Sequence, residues 1–182
     1  MINAMLGDEA ALRLRAPRVA DEQVARRAQD ELAADGFDFA WWPVEEPWAE
    51  RVARLADSEA GRAVPPGWVP NVFRFAEVDG QVVGRTSVRF ALNEFLLAQG
   101  GHIGYAVRPA FRRRGHATSI LLRSIELGRA AGLDRILVTC DEDNIGSRTV
   151  IERCGGVLDP DWPRQQTTSG TAVLRYWIPE AA

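Results

Sequence analysis

The sequence predicts a mixed α/β fold, in which one sheet carries helices on both faces, and three observations support this. First, strand-like alternation and helical spacing follow one another in the order β-α-α-β-β-β-α-β-α-β-β. Second, an Asp-Gly pair at residues 79–80 separates two alternating runs, which predicts a hairpin. Third, residues 102–140 give a strand, a helix and a strand, the pattern of a parallel βαβ unit. Hairpin and crossover connections together predict a sheet of mixed direction.

The first half of the chain supplies an edge strand, two helices and the hairpin. Leu12–Arg15 alternates apolar and charged residues, as an edge strand does. Asp21–Ala34 has apolar residues at helical spacing and ends before Gly36, which can stop a helix. Pro47–Ala60 begins with a proline, which suits a first helical turn. The two hairpin strands are predicted at Val72–Val78 and Val82–Phe90.

The second half supplies the βαβ unit, a short helix and a last strand. His102–Val107 is the strand that leads into an Arg-rich turn. The helix that follows has a small and apolar face, formed by Ala117, Ile120, Leu121, Ser124, Gly128 and Ala131, and Gly132 ends it. The remaining predicted elements are a buried strand at Arg135–Cys140, a helix at Ser147–Arg153 and a strand at Thr171–Ile178.

Composition and charge restrict the function classes. A chain of 182 residues with 46% hydrophobic and 26% charged residues suits one globular domain. The net charge of -3 argues against a non-specific nucleic-acid binder, which usually has a basic face, so no nucleic-acid partner is expected. The chain contains no lysine, and all 22 of its Lys+Arg residues are arginine.

Location and metal content are also expected from the sequence. Residues 1–9 lack a basic n-region and a long apolar run, so we expect no signal peptide, no membrane partner and a cytoplasmic location. Cys140 and Cys154 match no metal motif and are interpreted as reduced, buried thiols. No metal is expected.

The most informative segment is the Arg-rich turn between the strand and the helix of the βαβ unit. Arg112, Gly115 and Ala117 have the spacing Arg-x-x-Gly-x-Ala. Such a turn presents backbone N–H groups at a helix N-terminus, and the helix dipole favours an anion there. Glycine permits a close backbone approach, and arginines add charge-assisted contacts to phosphate oxygens. The turn therefore predicts a diphosphate site, and the alternative is an ordinary connection with exposed arginines. The Gly-x-Gly-x-x-Gly and P-loop patterns do not occur.

These residues resemble the coenzyme A site of the GNAT superfamily of N-acetyltransferases. The family signature is Gln/Arg-x-x-Gly-x-Gly/Ala after a strand that ends in an apolar-x-Pro step, here Val107-Arg108-Pro109. Further segments resemble one uncharacterised branch of predicted acetyltransferases, namely those at 65–70, 92–97, 100–105, 139–144 and 175–178. The resemblance covers most of the chain and is weakest over the first sixty residues.

The resemblance implies a fold and a donor site. The GNAT-like acyl-CoA N-acyltransferase fold has a mostly antiparallel sheet, in which a central parallel strand pair splays apart and accepts the pantetheine arm. Here Ala106 and Val107 would supply the strand edge, and the N–H group of Val107 would stabilise the oxyanion. The residues implied for the diphosphate are Arg112, Arg113, Arg114, Gly115, His116, Ala117 and Thr118. Asn144 and Ser147 would bind pantetheine, although Asn144 also suits a plain helix N-cap.

The implied reaction moves the acetyl group of acetyl-CoA to a primary amine of a small molecule or peptide. Glu94 is the first candidate for the general base and Asp141 the second, and for each the alternative is a solvated loop carboxylate. Many family members place a tyrosine acid seven residues after the matching asparagine, and here that position is Ile151. A thiolate with a pKa of about 8.5, the reference value for cysteine, can leave without full protonation.

Histidines and tryptophans receive less specific interpretations. His102 is interpreted as structural because it has no visible orienting partner, and His116 as a backbone contributor. Four tryptophans lie in segments expected to form the acceptor wall: Trp41, Trp42, Trp48 and Trp68. They could hold a cationic or aromatic substrate, although core packing is the favoured use for most of them.

Two further readings stay open beside the acetyltransferase. One is a catalytically degraded module that binds acyl-CoA as a sensor or partner, and the other is a different donor such as succinyl-CoA. In the enzyme, one domain would span residues 1–182, with the acceptor side at about 1–100 and the CoA-binding core at about 101–156. Homodimers are common among such enzymes, so a homodimer is a further expectation.

Overall fold

A computed structural model describes residues 12–43, 45–62, 64–162 and 170–180. Residues 1–9, where the absence of a signal peptide was expected, lie outside these ranges. The described strands form one seven-stranded sheet in the order β1-β2-β3-β4-β5-β7-β6. They are β1 (Arg13–Arg15), β2 (Asn71–Val78), β3 (Gln81–Arg89), β4 (Ile103–Val107), β5 (Ile136–Asp141), β6 (Val157–Leu158) and β7 (Val173–Ile178). Only β4 and β5 pair in parallel, and every other neighbouring pair is antiparallel, which confirms the predicted mixed sheet.

Helices cover both faces of this sheet, as the sequence predicts. They are α1 (Glu22–Ala33), α2 (Trp48–Glu59), α3 (Glu94–Ala98), α4 (His116–Ala130) and α5 (Ile145–Arg153). Residues of α1 and α2 share one buried cluster with Phe73 and Phe75 of β2. Residues of α4 and α5 share other clusters with Ile103 of β4 and Val138 of β5. No helix in the described ranges is both long and apolar enough to cross a membrane.

The predicted hairpin forms between β2 and β3. Asp79 and Gly80 both have positive φ, at 50° and 75°, as a two-residue type I′ turn requires. Its strands pair from Asn71–Arg89 to Val78–Gln81, with one bulge at Ala76/Glu77. This hairpin makes β3 the inner neighbour of β4 and so sets one wall of the parallel pair.

Two short elements have no bounds in the sequence prediction: a helix that the predicted order lacks, and the first of the two strands that end that order. Helix α3 has five residues, begins at Glu94 and is capped by the side chain of Asn93, which accepts the N–H of Leu96 at 2.9 Å. Strand β6 has two residues and pairs with β7. Both are too short to show a hydrophobic period in sequence.

Small residues let α4 pack closely on β3 and β4. A Cβ added to Gly84 would lie 2.3 Å from the carbonyl oxygen of Ala106 and 3.1 Å from Cδ1 of Ile120. Ser124 Oγ lies 2.8 Å from Thr86 Oγ1 across the same contact. The buried residues of the predicted helix face are Ile120, Leu121, Ser124 and Gly128, whereas Ala131 is exposed just past the helix end. This packing fixes the N-terminus of α4 relative to the end of β4.

Candidate functional site

The parallel pair β4 and β5 splays apart after a single point of contact. Within these two fully described strands, Ile103 of β4 and Val138 of β5 are the only residues that pair with each other. The N–H of His102 donates to the carbonyl of Leu137 at 2.7 Å beside that pair. Residues 104–107 and 139–141 continue without pairing to each other, so a gap opens between the strands.

Gly101 and His102 hold β4 against β5 at the closed end of this gap. Gly101 has a φ of 60°, and a Cβ there would lie 2.5 Å from the carbonyl oxygen of Leu137. His102 Nδ1 accepts the N–H of Leu137 at 2.8 Å. Burial, together with the charge of Arg89, lowers the pKa of His102 from 6.5 to about 4, so the ring is neutral at pH 7. The structural interpretation of His102 is confirmed.

The register of β3 against β4 decides which backbone groups of β4 face the gap. In an antiparallel ladder, alternate residues direct their N–H and C=O groups to the partner strand. Gly104 O accepts from side chains of β3, Ala106 O lies close to Gly84, and Arg108 N–H donates to Val83 O at 2.9 Å. The backbone groups of Ala106 therefore face β3, which differs from the expectation for that residue. Tyr105 and Val107 direct theirs to the gap.

The Arg-rich turn forms the open end of the gap and enters α4 directly. Gly115, the residue before α4, has a φ of 81°, and Arg113 has a φ of 63°. From Arg113 to Thr118, six consecutive N–H groups have no acceptor among the residues that the structure describes. Backbone donors left without partners at the start of a 15-residue helix form a site for an anion.

The arginines around this turn have different tasks. Arg112 donates through Nε to Val107 O at 3.1 Å and pairs with the carboxylate of Asp35 on the loop after α1. Because its charge is already paired, Arg112 stabilises the conformation of the turn in this structure. Arg113 has no ion pair within the described part of the chain, and the guanidinium of Arg114 lies 5.9 Å from the ring centre of Phe111.

Helix α5 lies at the β5 side of the gap and carries both residues expected to bind pantetheine. Asn144 Oδ1 accepts the N–H of Ser147 at 2.9 Å, so Asn144 is the N-cap of α5. Ser147 Oγ lies 3.0 Å from the hydroxyl of Tyr105, one of the two β4 residues whose backbone groups face the gap. Burial raises the pKa of Tyr105 well above its usual range, so its hydroxyl stays protonated. Sequence reasoning missed this tyrosine because the expected position was 151.

Ile151 itself is fully buried. It belongs to the core cluster that contains Ile103, Val138 and Tyr176. Both cysteines near this cluster are free and half-buried, and burial raises the pKa of Cys140 and of Cys154 to about 11. The cysteines are free, as predicted, but they are half-buried rather than buried. No group of three metal-ligating side chains occurs among the described residues.

The two candidate bases have different surroundings. Glu94 is exposed on the first turn of α3, and the neighbouring Asn93 Nδ2 donates to Gly67 O at 2.8 Å, which ties α3 to the loop of Trp68. Asp141 is the half-buried last residue of β5. Its pKa is raised, first by burial and then by the charge of Asp143. A raised pKa makes Asp141 a better proton acceptor than an ordinary aspartate.

The four tryptophans divide between core and surface. Trp48 is fully buried, and its Nε1 donates to Arg18 O at 2.9 Å. The rings of Trp41 and Trp42 already face the protein's own arginines, namely Arg85 and Arg26, at 4.7 and 4.3 Å. Trp68 is 52% exposed and packs edge-on against Trp41. Trp68 is therefore the tryptophan with a ring open to a substrate.

Two arginines of β3 that the sequence analysis did not single out lie beside β4. Arg85 and Arg89 are four residues apart on one face of the strand, and both guanidinium groups lie beside Gly104 of β4. Arg85 is 2% exposed and Arg89 is half-buried. The available signal was a charged residue in the middle of a strand that the topology makes internal.

Comparisons with known proteins agree with this geometry. The family model described as an acetyltransferase (GNAT) domain matches residues 11–157. No curated protein matches the chain.

Solved acetyltransferase structures share the fold at low sequence identity. The putative acetyltransferase yncA from Salmonella typhimurium, solved with acetyl-CoA, is 17% identical with a TM-score of 0.64, over 93% of this chain and 94% of that one. The ribosomal L7/L12 alpha-N-protein acetyltransferase RimL, solved with coenzyme A, is 17% identical with a TM-score of 0.66, over 96% and 97%. The ribosomal-protein-S5-alanine acetyltransferase from Vibrio fischeri is 14% identical with a TM-score of 0.68, over 93% of each chain.

Proposed function

Because the chain belongs to the GNAT acetyltransferase family, we propose that it transfers the acetyl group of acetyl-CoA to a primary amine by direct attack. The observation that carries this proposal is the row of six N–H groups from Arg113 to Thr118, at the start of α4, that have no acceptor among the described residues. The acceptor is a small molecule or a peptide.

The donor fits the region from about residue 101 to 156. The N–H groups of the Arg-rich turn and the first turn of α4 would hold its diphosphate, with charge from Arg113 and Arg114. Pantetheine amides would pair with the backbone groups that Tyr105 and Val107 direct to the gap, as an added strand would, although the Val107 carbonyl also accepts from Arg112 Nε. Asn144 keeps its Nδ2 group without a partner among the described residues, so it can cap α5 and still donate to the donor. Acetyl-CoA supplies an acetyl group activated as a thioester.

Charge stabilisation during attack would come from the backbone. The N–H of Val107 faces the gap and is held in place because Arg112 Nε binds the carbonyl of the same residue. A fixed donor of this kind stabilises a developing oxyanion, and removing one typically costs about 10²–10³ in rate.

The departing thiolate needs a hydrogen-bond donor more than a strong acid. Tyr105 stays protonated and lies at the gap with its hydroxyl 3.0 Å from Ser147 Oγ. We assign it to donate a hydrogen bond to the leaving sulfur, in place of the tyrosine that the family often has at the position of Ile151.

The first prediction tests the diphosphate site with a melting experiment. Acetyl-CoA at a hundred times its Kd should stabilise the wild type by about 2.7 kcal/mol, and Gly115→Glu should remove this shift because it places a carboxylate and a Cβ in the turn. Gly132→Glu is a matched control, since Gly132 also has positive φ, at 89°, and lies beyond the other end of α4. A retained shift in Gly115→Glu would contradict the site. A shift in wild type without thiol release from any amine would identify an acyl-CoA-binding module instead.

The second prediction tests the base. Loss of a general base typically lowers the rate about 10²–10⁴-fold, so either Glu94→Gln or Asp141→Asn should reduce kcat to this extent and remove the acidic limb of the pH–rate profile. The measurement is thiol release against pH on an accepted amine. If Glu94→Gln leaves both kcat and the pH–rate profile unchanged, Glu94 is not the base. If Asp141→Asn leaves both unchanged, Asp141 is not the base.

A further inference from the structure

Arg85 and Arg89 aim two positive charges at one point on β4. A Cβ built on Gly104 would lie 3.6 Å from Nη1 of Arg85 and 3.6 Å from Nη2 of Arg89. Gly104 precedes Tyr105 and directs its open side to the α1 and α2 face of the sheet, because Tyr105 packs on the opposite face with the α4 and α5 clusters. The two guanidinium groups therefore lie beside the gap, on the face away from the donor helices.

Neither guanidinium meets a carboxylate in the part of the chain that the structure describes. Arg85 donates to neutral oxygens, which are Gly104 O at 3.1 Å, Asp38 O at 3.2 Å and Ser87 Oγ at 3.3 Å. Its Nε has no partner there. Arg89 donates to Gly100 O and Gly101 O, both at 3.2 Å. By contrast, the buried Arg108 is neutralised by Glu31 at 2.8 Å.

The charge of Asp38 favours the protonated form of Arg85, but no carboxylate among the described residues forms an ion pair with Arg85 or Arg89. The carboxylate of Asp38 faces the chain's own backbone, since Oδ1 accepts the N–H groups of Ala40 and Trp41 at 3.2 and 2.6 Å. Aromatic rings cover Arg85, with Phe37 at 4.6 Å and Trp41 at 4.7 Å. A ring face attracts a cation without cancelling its charge. Burial, and for Arg85 also the charge of Arg89, lowers the pKa of Arg85 to about 9 and that of Arg89 to about 10, which leaves both protonated at pH 7.

A cavity adjoins the pair through the shared ring of Trp41. Its volume is about 470 Å³, which suits a small molecule. Trp41, Trp42 and Trp68 line it, together with Arg51. Arg51 is also buried and donates to a neutral group, the carbonyl of Ala40, at 3.0 and 2.5 Å. The cavity thus combines aromatic walls with the buried Arg51, which forms no ion pair among the described residues, although the charges of Glu46 and of Asp38, which also lines the cavity, act on it.

We propose that the acceptor amine carries an anionic group, a carboxylate or a phosphate, which Arg89 binds with Arg85 behind it, and an apolar or aromatic body that packs on Trp41 and Trp68. This inference rests on the proposed function and names the substrate class for it. Burying two like charges without a counter-ion is costly, and an anionic ligand supplies that counter-ion on binding. Arg89 reaches the ligand because it is half-buried, whereas Arg85 is covered.

The experiment compares paired acceptors that differ only in the anion. The panel contains free amino acids and their amides, phenylalanine and phenylalaninamide included, and O-phosphoethanolamine with ethanolamine. Thiol release from acetyl-CoA gives kcat/KM for each, and we expect the anionic member of the accepted pair to be at least about tenfold better, since a charge-assisted bond is worth that much or more. The two kinds of pair distinguish a carboxylate from a phosphate.

Variants of Arg89 test the assignment. Arg89→Gln should raise KM for the anionic acceptor at least about tenfold and leave KM for its neutral partner little changed, and Arg89→Lys should restore part of the loss. Arg62→Gln is the matched control, because Arg62 is an exposed arginine that pairs with Asp57. Equal use of acids and amides, or an equal effect of Arg89→Gln on both, would overturn the inference while the acetyltransferase reaction stands.

A second readout needs no turnover. N-acetyl-phenylalanine and N-acetyl-phenylalaninamide resemble products, and each is added with CoA in a melting experiment. We expect only the acid to raise Tm, and Arg89→Gln to remove that rise. This result without thiol release from any amine would support the anion site and reject the proposed function. No rise with any N-acetyl acid or with O-phosphoethanolamine, and no turnover of anionic amines, would overturn the inference.

Discussion

At the scale of single residues, burial changes what several ionisable side chains can do. His102 is held neutral as a hydrogen-bond acceptor for Leu137 N–H, and Tyr105 is held protonated beside Ser147. Cys140 and Cys154 have pKa values near 11, so almost no thiolate is present at pH 7. Burial thus leaves these groups uncharged around the gap.

The pKa of His102 gives the third prediction, on stability against pH. Its pKa falls from 6.5 unfolded to about 4 folded, so the unfolded state binds more protons between these values. Stability should therefore decrease as pH falls from about 6.5 to 4, by about 3 kcal/mol in total. His102→Asn keeps an acceptor at the δ position and cannot titrate, so its unfolding free energy should lack this loss. Urea melts from pH 7 to pH 4 measure it, and parallel curves for the two proteins would contradict it.

At the scale of elements, α1 braces the turn that precedes α4. Glu31 of α1 accepts from Arg108 Nε and Nη2, both at 2.8 Å, and Arg108 Nη1 donates to Val82 O at 2.8 Å. Asp35, just past α1, holds Arg112. Two ion pairs from one helix thus fix both ends of the segment between β4 and the diphosphate site.

Breaking the inner pair is the fourth prediction. Glu31→Gln should lower the unfolding free energy by about 1.5–3 kcal/mol, since it removes hydrogen bonds from a charged and buried Arg108, and it should weaken acetyl-CoA binding. Glu22→Gln is the control, because Glu22 pairs with Arg26 on the exposed face of α1 and should cost under about 0.5 kcal/mol. Equal losses in the two variants would contradict the brace.

The ion pair between Glu31 and Arg108 also makes stability depend on pH. Arg108 lowers the pKa of Glu31 below 4.5, so its contribution is complete above that pH and is lost as pH falls through the folded value. The difference in stability between wild type and Glu31→Gln should therefore narrow under acid conditions.

The elements also show which parts of the structure a sequence can predict. Long periodic segments such as α4 and the Asp79-Gly80 hairpin are predicted because spacing and turn chemistry act locally. Helix α3 and the direction of Ala106 depend on what packs against them, α3 through Asn93 and Gly67, and Ala106 through its register with Arg85. The meeting of Arg85, Arg89 and Gly104 depends on three strand positions from two strands, and no local pattern encodes it.

At the scale of the whole molecule, the proposed donor side follows from local sequence signals, whereas the proposed acceptor side does not. The Arg-x-x-Gly-x-Ala turn is continuous in sequence, so its place at the start of α4 follows from local signals. The acceptor side is assembled from β3, the segment around Trp41, α2 and the Trp68 loop, which are far apart along the chain. The identification of a family thus predicts the donor, and only the folded arrangement indicates the charge of the acceptor.

The fifth prediction belongs to this scale and follows from the acceptor charge. If an anionic acceptor is drawn to Arg85 and Arg89, KM for that acceptor should rise with ionic strength, whereas KM for a neutral amine should stay flat. Steady-state kinetics from 0.05 to 0.5 M salt, at fixed saturating acetyl-CoA, measure it. Matching salt responses for both acceptors would contradict long-range attraction by the pair.

The single contact between β4 and β5 has a consequence for how the molecule comes apart. Strands β1–β4 and strands β5–β7 meet between β4 and β5, where the only paired residues of these described strands are Ile103 and Val138. Beyond that pair, the backbones of β4 and β5 are not hydrogen-bonded to each other. The sheet is therefore easier to separate between these strands than between strands with a complete ladder, and the packing of α4 and α5 provides the remaining resistance. If acetyl-CoA binds between β4 and β5 as proposed, its pantetheine arm takes the place of a missing strand. The two parts of the sheet would then unfold as one cooperative unit, because the backbone atoms that bind the donor are the ones that would otherwise pair the strands.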